Sequence, residues 1–340
     1  MPAKRVIGIA LAGTAVLVPA VACSSSGGGG GAAPASQGAE PVASASASPT
    51  PPPEHPFTGQ PVAGRRPVLA VKIENTSSGK PQLGLRSADL VFVEQVEGGL
   101  TRLMAVFSSK IPAKVGPVRS ARISDLHLLP MFGKPALAYS GVQSKMVPLV
   151  QQASLYDVSD SAAPGAYFRQ PGRVAPYNLF ADTRKLLAKA PKATKARDIG
   201  LTFGDAPEGG TPKKSFTVRY PAATFTFTWA ASQKRWLVTQ DGKKDMAAEG
   251  GQLGAPTIVV QYAKTTRSQF HDFTGSYTPL IHTTGTGKAV VLRDGKAYKA
   301  EWSRSSEKEG ATFTTEGGEP MNLSPGQVWI VLAAPKPVQP

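Results

Sequence analysis

Three consecutive stretches decide the fold of the first half of the chain: LVFVEQV at Leu90–Val96, EGGL at Glu97–Leu100 and TRLMAVF at Thr101–Phe107. The two outer stretches are rich in β-branched and aromatic residues, which favour strands. The glycine pair between them supplies the positive φ angles that a tight turn needs. The sequence therefore predicts a β-hairpin here.

A two-residue loop at Gly98-Gly99 would also fix the register of this hairpin. Gln95 would then face Arg102, and Glu97 would lie on the same side of the sheet. The apolar residues on the opposite side would be Phe92, Val96, Leu103 and Phe107. In this arrangement Arg102 is either an ordinary cross-strand partner for these polar groups or part of a polar ligand-binding face.

Other patterns extend the prediction to the whole chain. Pro67–Asn75 reads as a strand, and Asp182 is a good N-cap for a helix that carries Leu186 and Leu187. The second half consists mainly of strand patterns. Thr224–Trp229 alternates apolar and polar residues, Ile258–Tyr262 is an apolar run, Asp294-Gly295 predicts a hairpin turn, and Val328–Leu332 is a closing apolar strand. We therefore expect an α+β protein, with a mixed α/β N-terminal domain (57–205) and a mostly β C-terminal domain (212–335).

The first 56 residues have the composition of a leader and a tether. A short basic start and an apolar run to Val21 precede Ala22-Cys23, which predicts a lipoprotein signal peptide (1–22) cleaved before a lipidated Cys23. An ordinary signal peptide with a coincidental cysteine is the alternative. Residues 23–56 are rich in Gly, Ser, Ala and Pro and predict a disordered linker. Two acyl chains would hold the chain on the extracytoplasmic face of the cell membrane.

The composition of the chain limits the ligands and the types of active site that are plausible. The chain has 340 residues and a formal net charge of +15, which suits anionic lipid headgroups or acidic wall polymers. The charge is spread thinly, and we expect no nucleic-acid partner. Cys23 is the only cysteine, so an intrachain disulfide and a cysteine nucleophile in the folded part are excluded. The four histidines lack metal-ligand spacing, so we expect neither a metal site nor a cofactor.

An arginine-rich segment, VGPVRSAR at Val115–Arg122, is the strongest candidate for ligand binding. If Pro117 occupies the first turn of a helix that continues through Ile123, then Arg119 and Arg122 share one side near its start. Two guanidinium groups beside free N–H groups would form an anion cradle. The alternative is a surface arginine pair that forms ion pairs with nearby acidic residues.

These stretches carry a family resemblance. RSADLVFVE at Arg86–Glu94, EGGLTRLMAVF at Glu97–Phe107 and VGPVRSAR at Val115–Arg122 together resemble the signature of the YerB-like lipoproteins, a bacterial family without an assigned function. The likeness continues through Pro176–Leu179 and covers most of residues 65–333. The candidate ligand-binding residues within these stretches are Arg86, Asp89, Glu97, Arg102, Arg119, Ser120 and Arg122.

Several functions stay open at this stage. The first is an envelope module that binds an anionic wall polymer or a phosphorylated lipid. The second is an enzyme, because Arg86–Asp89 and the arginine-rich turn also resemble the LytR-CpsA-Psr phosphotransferases. Ser120 stands where that family carries an acidic residue. The acids that could take its place are Asp89, Glu94 and Glu97. A scaffold for envelope proteins and a transporter's solute-binding lipoprotein are further alternatives. Gly285–Lys288 hints at a phosphate loop, but a turn is the better interpretation.

Overall fold

The computed structural model describes residues 53–62, 64–272 and 274–335. The predicted signal peptide, Cys23 and most of the predicted linker lie outside the described residues. The last four residues of that linker, 53–56, are not a free tether. His55 is fully buried edge-on against Phe57, whose ring packs on Phe132 with the centroids 5.4 Å apart. The packed part of the chain therefore begins before residue 57.

The first half of the chain contains strands and all three of the described α-helices. The strands are β1 (Leu69–Glu74), β2 (Leu90–Gln95), β3 (Thr101–Phe107), β4 (Lys114–Val115), β5 (Ala136–Ala138), β6 (Tyr156–Asp157), β7 (Tyr167–Arg169) and β8 (Leu179–Asp182). The helices are α1 (Ile123–Leu128), α2 (Val147–Gln152) and α3 (Thr183–Lys189). Asp182 caps α3 by accepting a hydrogen bond from Lys185 N at 3.0 Å, as predicted.

The second half is almost entirely strand. Its strands are β9 (Thr211–Pro212), β10 (Ser215–Tyr220), β11 (Ala223–Ala230), β12 (Arg235–Gln240), β13 (Lys243–Lys244), β14 (Gly254–Ala255), β15 (Thr257–Tyr262), β16 (Thr265–His271), β17 (Tyr277–Ile281), β18 (Gly285–Arg293), β19 (Lys296–Arg304), β20 (Thr312–Thr315) and β21 (Val328–Ala333). The strands predicted around Phe227, Val260 and Ile330 are confirmed, as is the hairpin at Asp294-Gly295. Gly285–Lys288 belongs to β18 and is not the predicted turn.

Strands from both halves form one large sheet in the order β20-β19-β18-β15-β21-β2-β3-β1-β5-β6. The last strand, β21, pairs in parallel with β15 on one side and with β2 on the other. Both faces are buried across the central strands β15, β21, β2, β3 and β1, whereas β19 alternates buried and exposed residues. The smaller sheet β10–β14 packs on one face through Phe225, Phe227 and Trp236, and α1 with the residues that follow it covers the other. Within the described residues, no helix is long and apolar enough to span a membrane.

The predicted register of the β2–β3 hairpin is wrong by one residue. Arg102 pairs with Glu94, and Gln95 pairs with Thr101, because the connection is a three-residue loop, Glu97–Gly99, closed by a hydrogen bond from Val96 N to Leu100 O at 2.8 Å. The glycines do adopt positive φ angles, 64° at Gly98 and 71° at Gly99. The shift separates the residues that were expected to share a face: Phe92 joins one core, and Leu103 and Phe107 join the other.

The predicted helix start at Pro117 is also wrong. The chain from Val115 to Ala121 is extended and lies between β1 and β8, where Glu74 N donates to Pro117 O at 2.9 Å and Val118 N donates to Leu179 O at 2.7 Å. These backbone bonds hold the segment extended, so α1 begins only at Ile123. Arg119 and Arg122 therefore project from an extended chain and not from one face of a helix.

Candidate anion-binding cleft

A cleft of about 700 Å³ opens at the end of the sheet where β1 ends, β2 ends and β3 begins. The extended segment that carries Arg119 and Arg122 forms one side, and the connection between β16 and β17, from the second half of the chain, forms part of the rim. The lining polar residues are Glu74, Thr76, Glu97, Arg102, Arg119, Ser120, Arg122, Gln143, Ser144, Tyr177, His271, Asp272 and Thr278.

Arg102 is the least compensated charge in the cleft. Its side chain is 7% exposed, its Nη1 donates to Ser120 O at 3.3 Å, and its nearest carboxylate oxygen, Glu74 Oε2, is 4.0 Å away. Its Nε is buried and has no acceptor among the described residues. Burial, followed by the nearby Arg122 and Arg119 guanidiniums, lowers the pKa of Arg102 to about 10. The group stays charged at neutral pH but is short of negative partners.

Arg119 reaches the same carboxylate from the solvent side. Its Nε donates to Glu74 Oε2 at 2.6 Å, and its guanidinium lies 5.6 Å from the centre of the Tyr177 ring. Its two terminal nitrogens have no acceptor within the part of the chain that the structure describes, and its side chain is 23% exposed. Burial alone would raise the pKa of Glu74, but Arg102, the Thr76 amide and Arg119 hold it below its ordinary value. We call Glu74, Arg102 and Arg119 the open cluster.

Arg122, in contrast, is committed to Glu97. Arg122 Nε donates to Glu97 Oε1 at 2.7 Å and Arg122 Nη2 donates to Oε2 at 2.6 Å, a bidentate pair. The Thr278 hydroxyl from β17 also donates to Glu97. Burial opposes ionisation of Glu97, but Arg122 and Thr278 outweigh it and lower its pKa. The Arg122–Glu97 pair therefore forms a fixed wall of the cleft, and through Thr278 it also holds the β16–β17 hairpin of the second half in place.

A second set of charges lies behind this wall and is closed to solvent. Lys72 Nζ contacts Glu94 Oε2 at 3.0 Å and Asp125 Oδ1 at 2.7 Å, and all three residues are buried. Burial and the neighbouring Asp125 raise the pKa of Glu94 to about 8. Asp125 also accepts a hydrogen bond from Arg122 N at 2.6 Å, which joins this set to the cleft wall. We call Lys72, Glu94 and Asp125 the sealed cluster.

Five of the seven predicted ligand-binding residues lie in the cleft, and two do not. Asp89 is at the opposite end of β2, roughly 20 Å away at about 3.3 Å per residue. There it accepts hydrogen bonds from the amides of Ser108 at 2.7 Å and Ser109 at 2.8 Å, which is a structural role. Arg86 donates to Gly250 O, outside the cleft. The residues that do line it are Glu97, Arg102, Arg119, Ser120 and Arg122.

The structure adds residues that the sequence did not assign to the site. Glu74 ends β1, and Tyr177 belongs to a run that carried the family resemblance. His271 and Asp272 lie on the rim, although roughly 150 residues separate them in sequence from Arg119 and Arg122. The Oε1 atom of Gln143 is buried at the cleft and has no donor among the described residues. No sequence signal marks Gln143.

The acids proposed for the enzyme alternative do not converge. Asp89 lies at the far end of β2, Glu94 belongs to the sealed cluster, and Glu97 is paired with Arg122. Among residues 53–62, 64–272 and 274–335, no group of three or more His, Cys, Asp or Glu side chains is arranged to hold a metal ion. The arrangement therefore offers cations for binding an anion, and it does not bring these carboxylates together for phosphoryl transfer.

Comparison with known families identifies the class of protein that this fold defines. Two domain models match, both described as a protein of unknown function (DUF3048): the N-terminal domain at residues 57–197 and the C-terminal domain at residues 216–330. The chain therefore belongs to this two-domain family, and the resemblance to YerB-like proteins seen in the sequence is confirmed.

The family member matched in sequence is YerB of Bacillus subtilis (strain 168), whose name describes it as a candidate lipoprotein. It is 25% identical over 297 residues, which cover 81% of this chain and 84% of YerB. The crystal structure of Bacillus subtilis YerB superposes with a TM-score of 0.70 at 20% identity, covering 82% of this chain and 96% of that one. At this identity the match shows that the two chains share a fold.

Proposed function

We propose that this protein is a lipid-anchored lipoprotein of the cell envelope that binds an anionic ligand in the cleft around Arg102 and Arg119. The ligand class is an anionic wall polymer or a phosphorylated lipid. The observation that carries the proposal is the Arg102 guanidinium, which is buried at the cleft with its Nε unpaired and its nearest carboxylate 4.0 Å away. A buried cation of this kind is stabilised when an anion enters.

The place of the protein follows from Cys23 and its flanking residues. The only cysteine of the chain stands at the position where lipidation requires it, directly after an apolar leader. The name of the YerB relative supports the same interpretation. Diacylation at Cys23 would hold the cleft on the outer face of the membrane, within reach of anionic wall polymers and lipid headgroups.

Arg102 and Arg119 supply complementary parts of an anion site. Arg102 contributes a desolvated charge whose Nε has no acceptor among the described residues. Arg119 contributes two terminal nitrogens on a partly exposed side chain that already bonds Glu74 through Nε. An oxyanion between them would accept hydrogen bonds from both guanidiniums. Charge-assisted bonds of this kind are about twice as strong as neutral ones.

The test is calorimetric titration of inorganic pyrophosphate into the full-length protein in detergent. We expect binding to the native protein and at least tenfold weaker binding to Arg102→Gln and to Arg119→Gln. Arg219→Gln, an exposed arginine on β10 away from the cleft, is the matched control and should bind like the native protein. The half-exposed Arg119 keeps the test valid if Arg102→Gln does not fold.

Unchanged affinity in both cleft variants would contradict the proposal. The absence of any binding to the native protein would also contradict it and would favour a scaffold that binds other envelope proteins.

A further inference from the structure

The cleft contains one free hydrogen-bonding group that an anion cannot satisfy. Gln143 Oε1 is buried there and accepts no hydrogen bond within the described residues. An acceptor needs a donor, and a phosphate diester or a carboxylate at neutral pH brings only acceptors. An alkyl chain has neither hydrogen-bond donors nor hydrogen-bond acceptors. The ligand that completes this site must carry a hydrogen-bond donor close to its negative charge.

We infer that the ligand of the cleft is an acidic saccharide, a sugar ring that carries a phosphate or a carboxylate. This inference rests on the proposed anion-binding function and deepens it. A sugar hydroxyl donates to Gln143 Oε1, while the acidic group accepts from Arg102 and Arg119. The unpaired groups of Gln143 and Arg102 then each have a partner of the opposite hydrogen-bonding type, so that neither is buried without one.

The rest of the lining fits a polyhydroxyl ligand better than an apolar one. The hydroxyl groups of Ser120 and Tyr177 line the cleft, and neither makes a hydrogen bond within the part of the chain that the structure describes. The apolar side chains that the cleft exposes are Leu100, at 40%, and the smaller Val142 and Pro176. A lipid chain would need a continuous apolar groove, whereas isolated hydroxyls and amides provide donors and acceptors for sugar hydroxyls.

The size of the cleft is consistent with this ligand class. Its volume of about 700 Å³ lies within the range of roughly 300–1,000 Å³ that is typical of small-molecule sites. It can therefore hold one or two sugar rings. Because one end of the cleft is open, a longer glycan chain could continue into solvent from a residue bound inside.

The experiment compares four probes by calorimetric titration into the full-length protein in detergent: glucose 1-phosphate, glucuronate, n-butyl phosphate and methyl glucoside. We expect glucose 1-phosphate to bind at least tenfold tighter than n-butyl phosphate, because both carry a phosphate monoester and only the sugar carries hydroxyls. Methyl glucoside, which lacks the anion, should bind weakest. The glucuronate arm distinguishes a carboxylate sugar from a phosphate sugar as the source of the charge.

The matched variants are Gln143→Met, which keeps the side-chain length but removes the acceptor, and Gln152→Met, an exposed glutamine on α2. In Gln143→Met the preference for glucose 1-phosphate over n-butyl phosphate should fall to less than threefold, and in Gln152→Met it should persist. Equal affinity of the native protein for these two phosphates would overturn the saccharide inference while leaving the anion cleft in place. No binding of either phosphate would overturn the proposed function itself.

Discussion

The open cluster and the sealed cluster are neighbours: β1 carries both Lys72 and Glu74, and Glu94 of β2 pairs directly with Arg102 of β3. The balance of charge in the two clusters is opposite. The open cluster has two guanidiniums for one carboxylate, and solvent reaches it through Arg119. The sealed cluster has two carboxylates for one ammonium, and its members are completely buried or nearly so. The sealed cluster resolves its excess by holding a proton on Glu94. Under the proposed function, an anion that enters the cleft neutralises the excess of the open cluster, which solvent can reach, whereas the sealed cluster is a structural network.

The largest expected effect comes from removing the cation of the sealed cluster. Lys72→Met leaves Glu94 and Asp125 buried without their shared partner, and breaking a buried ion pair in this way costs roughly 3–5 kcal/mol. The measurement is the free energy of unfolding from urea denaturation.

Two variants calibrate that result. Arg119→Gln in the open cluster should cost only about 1 kcal/mol, because Glu74 keeps the amides of Asn75 and Thr76 at 2.9 Å each. Lys243→Met, an exposed lysine on β13, should stay within about 0.5 kcal/mol. Equal losses for Lys72→Met and Arg119→Gln would contradict the distinction between the two clusters.

The second effect is a pH dependence that belongs to the sealed cluster alone. In the folded protein the pKa of Glu94 is raised to about 8, against an ordinary value of 4.5. The folded state therefore binds a proton that the unfolded state has already released, and the free energy of unfolding falls as pH rises towards 8. The slope between pH 6.5 and 8 should be up to about 1.4 kcal/mol per pH unit.

Glu94→Gln keeps the shape and removes the titration, so its unfolding free energy should lose this slope over the same interval. The titrations of Asp89, whose pKa burial raises to about 6, and of His55, whose pKa burial lowers to about 4 from 6.5, reach the lower end of this interval. They occur in both the native protein and Glu94→Gln, so they cancel in the difference between the two slopes. A native slope that persists in Glu94→Gln would show that another group carries it.

The smallest effect concerns the β16–β17 hairpin, which brings His271 and Asp272 to the cleft. Thr278→Val preserves the shape of the side chain but removes the hydroxyl that donates to Glu97. Glu97 retains its bidentate bond with Arg122, so the cost should be about 1 kcal/mol. Urea denaturation measures it, with Thr228→Val at an exposed position of β11 as the control. A loss of unfolding free energy above about 3 kcal/mol would mean that the β16–β17 hairpin, and not Arg122, holds Glu97 in place.

The sequence predicted the elements of the fold more reliably than their register. The hairpin at Leu90–Phe107, the strand at Val328 and the cap at Asp182 all follow from local patterns and are confirmed. The predicted hairpin register was wrong because a three-residue loop replaced the expected two-residue loop, and that difference of one residue exchanges the faces of a strand. The pairing of β21 with β2 depends on contacts between distant parts of the chain, and no local pattern encodes it.

The same division holds for the cleft. Arg102, Arg119 and Arg122 were predicted because they fall in short, recognisable stretches, and the structure brings them together. Asp89 was assigned with them because it is close in sequence, but a strand carries it to the other end of the sheet. Gln143 and the rim residues from the second half reach the cleft only through tertiary folding. A sequence shows which side chains are available, and the topology decides which of them meet.

The position of β21 in the middle of the large sheet has a consequence for the way the chain is made. Its neighbour β2 leaves the ribosome more than two hundred residues earlier, yet Leu90 pairs with Val328. Until synthesis reaches β21, the facing edges of β2 and β15 have no strand between them, and contacts of such high sequence separation form slowly. The central pairing of the sheet therefore cannot form before residues 328–333 are available, and until then the exposed edges of β2 and β15 are open to edge-to-edge aggregation.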